Sequence, residues 1–316
     1  MITSSKDITL APKGTIENFI NSLVKNYNIN NLLCNKDLLL MLSLKSKYMN
    51  LNKHKINTIS YHIKFNDVEQ ITPDDLLIDT TLHFKFNYSN SNITSNGRSD
   101  YLFLLKKLNS TWLINNIYSK EQFNHISIKS NCNELLNDYT NHLKSSIDHI
   151  NAFLYSTNKF PTVYKCSNTS SRRYDKVAAS LYAQTYALDY NKDYLSFNDS
   201  GGDCTNFVSQ ALKAGGVPTT KTWKPYTNPW VRVKELRDYL IYNKLASEKY
   251  VVDSTCLGCV VQFYNDERKA WTHSGIISYV SDDTCLYCCH SYDKLNYPLE
   301  FTYPILYPKI RILCPY

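Results

Sequence analysis

The chain reads as an α+β protein in two parts. An N-terminal helix-plus-antiparallel-meander domain is followed by a domain in which a helix packs on an antiparallel sheet. Three observations predict this. Apolar residues recur at helical spacing over the first fifty residues, then switch to period two between residues 61 and 117. A second cycle, helices followed by strand-like runs, begins after a Ser/Thr/Asn-rich stretch at 156–171. The length of 316 residues exceeds the usual size of one domain, and a 43% hydrophobic fraction supplies a core for each half.

In chain order, Ile16, Phe19, Ile20, Leu23 and Val24 place an amphipathic helix after Gly14, and a second helix covers Asp37 to Lys47. The alternations Tyr61, Ile63, Phe65 and Leu82, Phe84, Phe86, Tyr88 predict strands. After a turn-rich stretch from Ser89 to Asp100 come Tyr101–Leu105 and Trp112–Ile117, joined by a hairpin turn at Asn109-Ser110. In element order this part resembles NTF2-like or cystatin-like accessory domains. Leu136, Tyr139, Leu143, Ile147, Ile150 and Leu154 then form one helical stripe, suited to packing the two domains together. The layout is therefore 1–130, an accessory domain; 131–171, a helical connector and linker; and 172–316, a second domain. That domain opens with a helix from Tyr174 to Ala187. A helix from Cys204 to Ala214 follows, ended by Gly215-Gly216, and then another over Val231–Tyr242. Strands are predicted at Cys259–Tyr264, Ser274–Val280, Thr284–His290 and Tyr303–Leu313.

The net charge is 35 − 28 = +7, spread along the chain without a Lys/Arg-rich block, so the composition does not point to nucleic acid. There is no run of 18 apolar residues, hence no transmembrane helix, and Met1-Ile-Thr-Ser-Ser-Lys-Asp shows no signal peptide. On the sequence alone the chain is expected in the cytoplasm, with its ten cysteines as thiols.

Ser200-Gly-Gly-Asp-Cys-Thr-Asn-Phe-Val-Ser-Gln puts Cys204 at the first turn of a helix, with Asp203 as its N-cap. Unsatisfied N–H groups and the helix dipole there favour a thiolate, predicting a depressed pKa, and the same N–H groups can donate to an oxyanion. Two preceding glycines let the backbone pass close to a substrate. Of the eight histidines only His273 and His290 follow residue 170. His273, in Ala-Trp-Thr-His-Ser-Gly, is the expected base, with a third polar group to hold its ring. If Asp282-Asp283 is a two-residue turn, Gly275 faces His290, and His290 shares a sheet face with His273. A three-residue turn flips His290 away and leaves Asp293 or Asn296 as candidates.

At these residues the chain resembles the bacterial "putative amidase" domain family, whose members carry a GGDCTNFVSQ segment and a later Trp-Ser-His-Ser strand. The matching segments are Gly201–Gln210, Ala214-Gly-Gly216, Val261-Gln-Phe263, Trp271-Thr-His-Ser274 and Cys289-His-Ser. The lead helix and loop from Tyr174 to Phe197 are also similar, so the likeness spans about 172–300. The resemblance implies a papain-like cysteine amidase or peptidase, with Cys204 as nucleophile, His273 as base and His290 at the third polar position. It also implies a cell-wall setting and a peptide or peptidoglycan-like amide substrate. One departure is Gly258-Cys259, where the family has Gly-Asp.

The expected chemistry is amide hydrolysis through an acyl-enzyme, needing no cofactor and no metal. Two alternatives stand beside it: a cysteine acyltransferase, and a non-catalytic module held by zinc on Cys256, Cys259, Cys285 and Cys288. The C-x2-C spacing favours zinc, but i and i+3 on a strand point to opposite faces. Oligomeric state is not encoded in any visible pattern.

Overall fold

The computed structural model describes residues 10–25, 28–51, 56–88, 93–123, 132–155, 174–281 and 284–316. The expected linker at 156–171, the first seven residues and the Asp282-Asp283 turn lie outside them. The chain divides into two compact units: residues 1–86 with 98–154, and residues 87–97 with 155–316.

In the first unit, helices α1 (Leu10–Val24) and α2 (Lys36–Leu51) precede strands β1 (Ile56–Thr72), β2 (Asp75–Tyr88), β3 (Thr94–Leu108) and β4 (Thr111–Ser119). The strands neighbour one another in chain order, as a meander does. Asn109 and Ser110 both take positive φ (48° and 69°), the backbone of a type I′ turn, and Leu108 pairs with Thr111 across it. Ile16, Phe19, Leu38, Ile78 and Phe103 are buried in one core. Helix α3 (Cys132–Tyr155) adds Tyr139, Leu143 and Ile150 to that same core. Leu136, at the start of the predicted stripe, lies among side chains not described.

The second unit holds α4 (Lys176–Tyr186), α5 (Cys204–Ala214), α6 (Asn228–Val231) and α7 (Val233–Tyr242). Its strands are β5 (Ala246–Lys249), β6 (Val260–Asn265), β7 (Ala270–Val280), β8 (Cys285–Cys289), β9 (Lys294–Pro298) and β10 (Lys309–Pro315). They are ordered β9-β8-β7-β6-β10-β5, all antiparallel. Asn96 and Gly97, at the start of β3, pair with Leu295 and Lys294 of β9. Sequence periodicity missed β5 and β9, which are only 4 and 5 residues long. Residues 303–308, predicted as strand, are turns ahead of β10.

Alternation along these strands gives the sheet two apolar faces. Val260, Ile276, Cys288 and Leu313 meet Phe207, Val208 and Leu212 of α5. Val261, Phe263, Ile277, Tyr287 and Ile312 form a separate cluster with Leu299 and Tyr307. Gly258, the residue before Cys259, has φ +71°, and a Cβ there would lie 2.4 Å from the Lys176 carbonyl oxygen. The glycine is therefore required by the backbone, whichever residue follows it.

The β7–β8 hairpin corrects the predicted register. Ser281 N–H donates to the Thr284 carbonyl at 2.8 Å. A β-bulge between Ile277 and Tyr279 then shifts the pairing by one, setting Ile277 against Tyr287 and Ile276 against Cys288. A Cβ on Gly275 would accordingly lie 3.5 Å from that of Cys289 rather than face His290. One inserted residue flips everything beyond it to the other face. His290 therefore lies on the α5 side of the sheet and His273 on the other.

Candidate active site

Cys204 opens α5, as the sequence predicts, and is 7% exposed. Its sulfur lies 3.7 Å from the Thr205 hydroxyl and takes a hydrogen bond from the backbone N–H of Ser274. The thiol thus rests on β7 at the peptide that joins His273 to Ser274. Burial pushes the thiol up from its ordinary value; the Thr205 hydroxyl and the Ser274 N–H pull it down, and the Asp203 carboxylate raises it. The depressed pKa expected from the helix terminus is not found, because desolvation of the thiolate outweighs its donors.

Asp203 occupies the N-cap position, but its side chain makes no capping bond. Oδ1 accepts instead from the Phe197 N–H (2.8 Å) and from Asn206 Nδ2 (2.9 Å), while Oδ2 meets His290 Nδ1 at 2.6 Å. The Asp203 N–H donates to Ser291 Oγ at 2.8 Å. The loop before the nucleophile is thereby tied to the helix start. Gly201 and Gly202 take φ of +102° and +108°, a conformation that side chains rarely adopt.

His290 is 1% exposed, and both ring nitrogens are occupied. Nε2 donates to the Tyr186 carbonyl at 2.7 Å, since a carbonyl oxygen only accepts; Nδ1 shares a proton with Asp203. The ring is stacked between Tyr190, 3.7 Å between centroids, and Phe207, 4.1 Å. The expectation that His290 lies beside His273 to hold its ring is overturned, because the bulge turns it toward Asp203. Asp293 accepts from the Tyr190 hydroxyl (2.6 Å). Asn296 donates to Gln184 (3.4 Å) and accepts from the Cys288 thiol (3.8 Å).

His273 is 3% exposed and stacks on Phe263, with centroids 5.6 Å apart. Tyr292 and Tyr307 stand at 6.0 and 6.4 Å. Its neighbour Ser274 points to the helix side, with Oγ 3.4 Å from Thr205 Oγ1. From there a buried polar row crosses the sheet. Gln262 pairs with Ser274 and Arg311 pairs with Gln262, and Arg311 Nε donates to Gln262 Oε1 at 2.7 Å. The guanidinium lies 4.2 Å over the Trp271 ring. Sequence reading missed this row, the role of Ser291 and both aromatic boxes, because each depends on strand pairing.

The four cysteines weighed as a zinc site do not converge. Cys256 and Cys259 lie with Cys314, whereas Cys288 faces the α5 side, bonded to Asn296. Among the described residues no group of three or more His, Cys, Asp or Glu is placed to hold a metal ion. No helix among them is long and apolar enough to cross a membrane.

Residues 173–312 match the family model described as "Putative amidase domain". A relative in Bacillus subtilis (strain 168), described as uncharacterized protein YjcM, is 37% identical over 145 residues, which is 42% of this chain and 34% of that protein. The chain thus matches about a third of the length of that relative. No solved structure matches it. The stretch that matches the model contains Cys204, Asp203, His273 and His290, and the family to which it points is one of amidase-type hydrolases.

Proposed function

We propose that the second unit is a papain-like cysteine hydrolase that cleaves an amide through an acyl-enzyme, with Cys204 as nucleophile and His273 as its base. The observation that carries this reading is the contact of the Cys204 sulfur with the Ser274 N–H, at the start of a helix and one residue from His273. Because the resting thiol is buried and protonated, the base takes its proton as the sulfur attacks the carbonyl carbon. The imidazolium then gives that proton to the leaving amine, and water, deprotonated by the same ring, releases the acyl group.

The Asp203–His290 pair supports this chemistry from the side. A free aspartate at an N-cap would bind the first-turn N–H groups of the helix. Here the carboxylate is drawn off to Phe197, Asn206 and His290, and these N–H groups remain to face an oxyanion formed on the substrate beside Cys204. His290 is thus a positioning residue. The substrate class we propose is a peptide or peptidoglycan-type amide in a cell-wall setting, on the family likeness and the positive charge of the chain.

Incubation with muropeptides and simple peptides, wild type against Cys204→Ala, tests the reading. Release of a new amine by the wild type alone is expected. Equal release by both proteins, or release blocked by a chelator and unaffected by the variant, overturns it.

A further inference from the structure

Three thiols on the sheet face away from α5 have no part in this chemistry. Cys256 closes a short turn at Ser254–Cys256, Cys259 precedes β6, and Cys314 ends β10. All are free and lie in one buried cluster, Cys256 and Cys259 with no exposure and Cys314 with 9%. The β10–β6 register runs from Lys309 against Tyr264 to Leu313 against Val260. Continued by one residue past that last pair, the register would bring Cys314 opposite Cys259. Directly opposed residues of an antiparallel pair bring their Cα atoms to about 4.5–5.5 Å, within the range a disulfide spans. The Cys314 sulfur is hydrogen-bonded with those of both Cys256 and Cys259, so the three form a chain. Beside them Lys249 Nζ bonds to Asp253 (2.7 Å) and Thr255 (2.9 Å) and contacts the Cys256 sulfur.

We propose that Cys256, Cys259 and Cys314 form a thiol–disulfide site, in which Cys314 closes a reversible disulfide with Cys259 and Cys256 is the third thiol that can reopen it. The oxidant is a small-molecule disulfide of the glutathione type. The Cys314 thiolate attacks one of its sulfurs, the small S–S bond breaks, and one small thiol departs with a proton. The Cys259 thiolate then attacks the mixed disulfide and expels the second small thiol. Two protein thiols are oxidised and one small disulfide becomes two thiols. Cys314 goes first because it is the most exposed of the three. The Cys256 contact and, more weakly, the Lys249 ammonium pull the Cys314 thiol down, but the Cys259 contact and burial outweigh them and hold it at about 12. The Cys314 contact and burial push the Cys256 thiol well above its ordinary value. Exchange is therefore slow at neutral pH and speeds as the pH rises. The bond staples the end of β10 to the start of β6, at a site separate from Cys204.

The test uses the full chain carrying Cys204→Ala, so that loss of the proposed nucleophile does not affect the outcome. The protein is treated with oxidised glutathione at pH 8.5, its remaining thiols are alkylated, and unreduced peptides are mapped by mass. A peptide joining Cys314 to Cys259 is expected, with Cys314–Cys256 as the exchange isomer. The melting temperature should rise by about 5–10 °C, return on reduction, and stay fixed in Cys314→Ser. Glutathione left on Cys314 with no link within the chain overturns the proposal, as does full alkylation of all three thiols after unfolding. The mapping decides the matter even if Cys314→Ser folds poorly.

Discussion

The two faces of the sheet in the second unit each bury one histidine, and they treat it in opposite ways. On the α5 side, His290 has both nitrogens bonded and lies between two parallel rings. On the other side, His273 sits among Phe263, Tyr292 and Tyr307, and its strand delivers the next N–H to the Cys204 sulfur. A ring with two fixed partners holds geometry, because any change of its protonation breaks a buried hydrogen bond. His273 is surrounded by rings, with Phe263, Tyr292 and Tyr307 at 5.6–6.4 Å between centroids. Under the proposed function, His290 is the positioning residue and His273 the base.

The largest effect that tests this contrast is on turnover. His273→Gln should lower kcat by about 10²–10⁴-fold, the usual worth of a general base, with the melting temperature little changed. His290→Gln should keep most of the rate, since an amide can still bond to Asp203 or to the Tyr186 carbonyl. Steady-state kinetics on a peptide cleaved by the wild type measures both. If His290→Gln loses as much rate as His273→Gln, the division of labour is wrong.

Stability should show the reverse order. His290→Ala leaves the Asp203 carboxylate buried without its ring partner and empties the space between Tyr190 and Phe207. Breaking a buried pair on one side costs about 3–5 kcal/mol, which urea unfolding reads directly. His273→Ala leaves the Asp203–His290 pair intact, so a smaller loss is expected from it. Equal losses would mean that the Asp203–His290 pair holds nothing in place.

A second buried acid of the same unit sharpens the comparison through pH. Asp203 accepts from three donors, whereas the Glu300 carboxyl is met by the Tyr88 hydroxyl at 2.5 Å and its own backbone N–H. Burial pushes Glu300 up to about 7, against the pull of those bonds, and its charge also raises the Cys285 thiol. An acid raised in the fold keeps its proton there while the unfolded chain gives it up. Its contribution to stability is thus complete below about pH 4.5 and is lost as the pH rises through 7. The loss amounts to about 3 kcal/mol at pH 8. Glu300→Gln, which retains the acceptor for Tyr88, should be more stable than wild type at pH 8 and no more stable at pH 4. A pH-independent difference between the two would show that the carboxyl does not titrate in this range.

Much of this architecture is legible in local patterns. The bounds of α5, the hairpin turn at Asn109-Ser110 and the placing of Cys204 at a helix start each follow from a few adjacent residues. The bulge at Ile277–Tyr279 does not, because no residue in Ile-Ser-Tyr marks an inserted position, and that one step decided which face His290 would take. Asp203 shows the same limit. Its N-cap position was predictable, but where its carboxylate goes depends on Phe197 and His290, 6 and 87 residues away. The buried row Ser274–Gln262–Arg311 needs the pairing of three strands before it can be seen. What the sequence hid is therefore long-range register, and with it the partners of every buried polar group.

The smallest expected effect concerns the thiol itself. Thr205 Oγ1 lies between the Cys204 sulfur (3.7 Å) and Ser274 Oγ (3.4 Å), and it is one of the groups that hold the buried thiol down. Thr205→Val keeps the shape of the side chain and removes the hydroxyl, so the thiol should titrate still higher. The contact is long, so its loss should be worth about 0.5–1 kcal/mol, a few-fold in the thiolate population. The rate of iodoacetamide labelling at Cys204, followed from pH 6 to 10.5, reads this directly. The wild-type rate should still be climbing above pH 9, because burial disfavours the thiolate, and the variant curve should lie a few tenths of a pH unit to the right. A wild-type rate that is flat below pH 7 would instead reveal a thiolate already formed at rest. In that case the helix terminus and the base on β7 together outweigh burial, and proton removal would precede substrate rather than accompany attack.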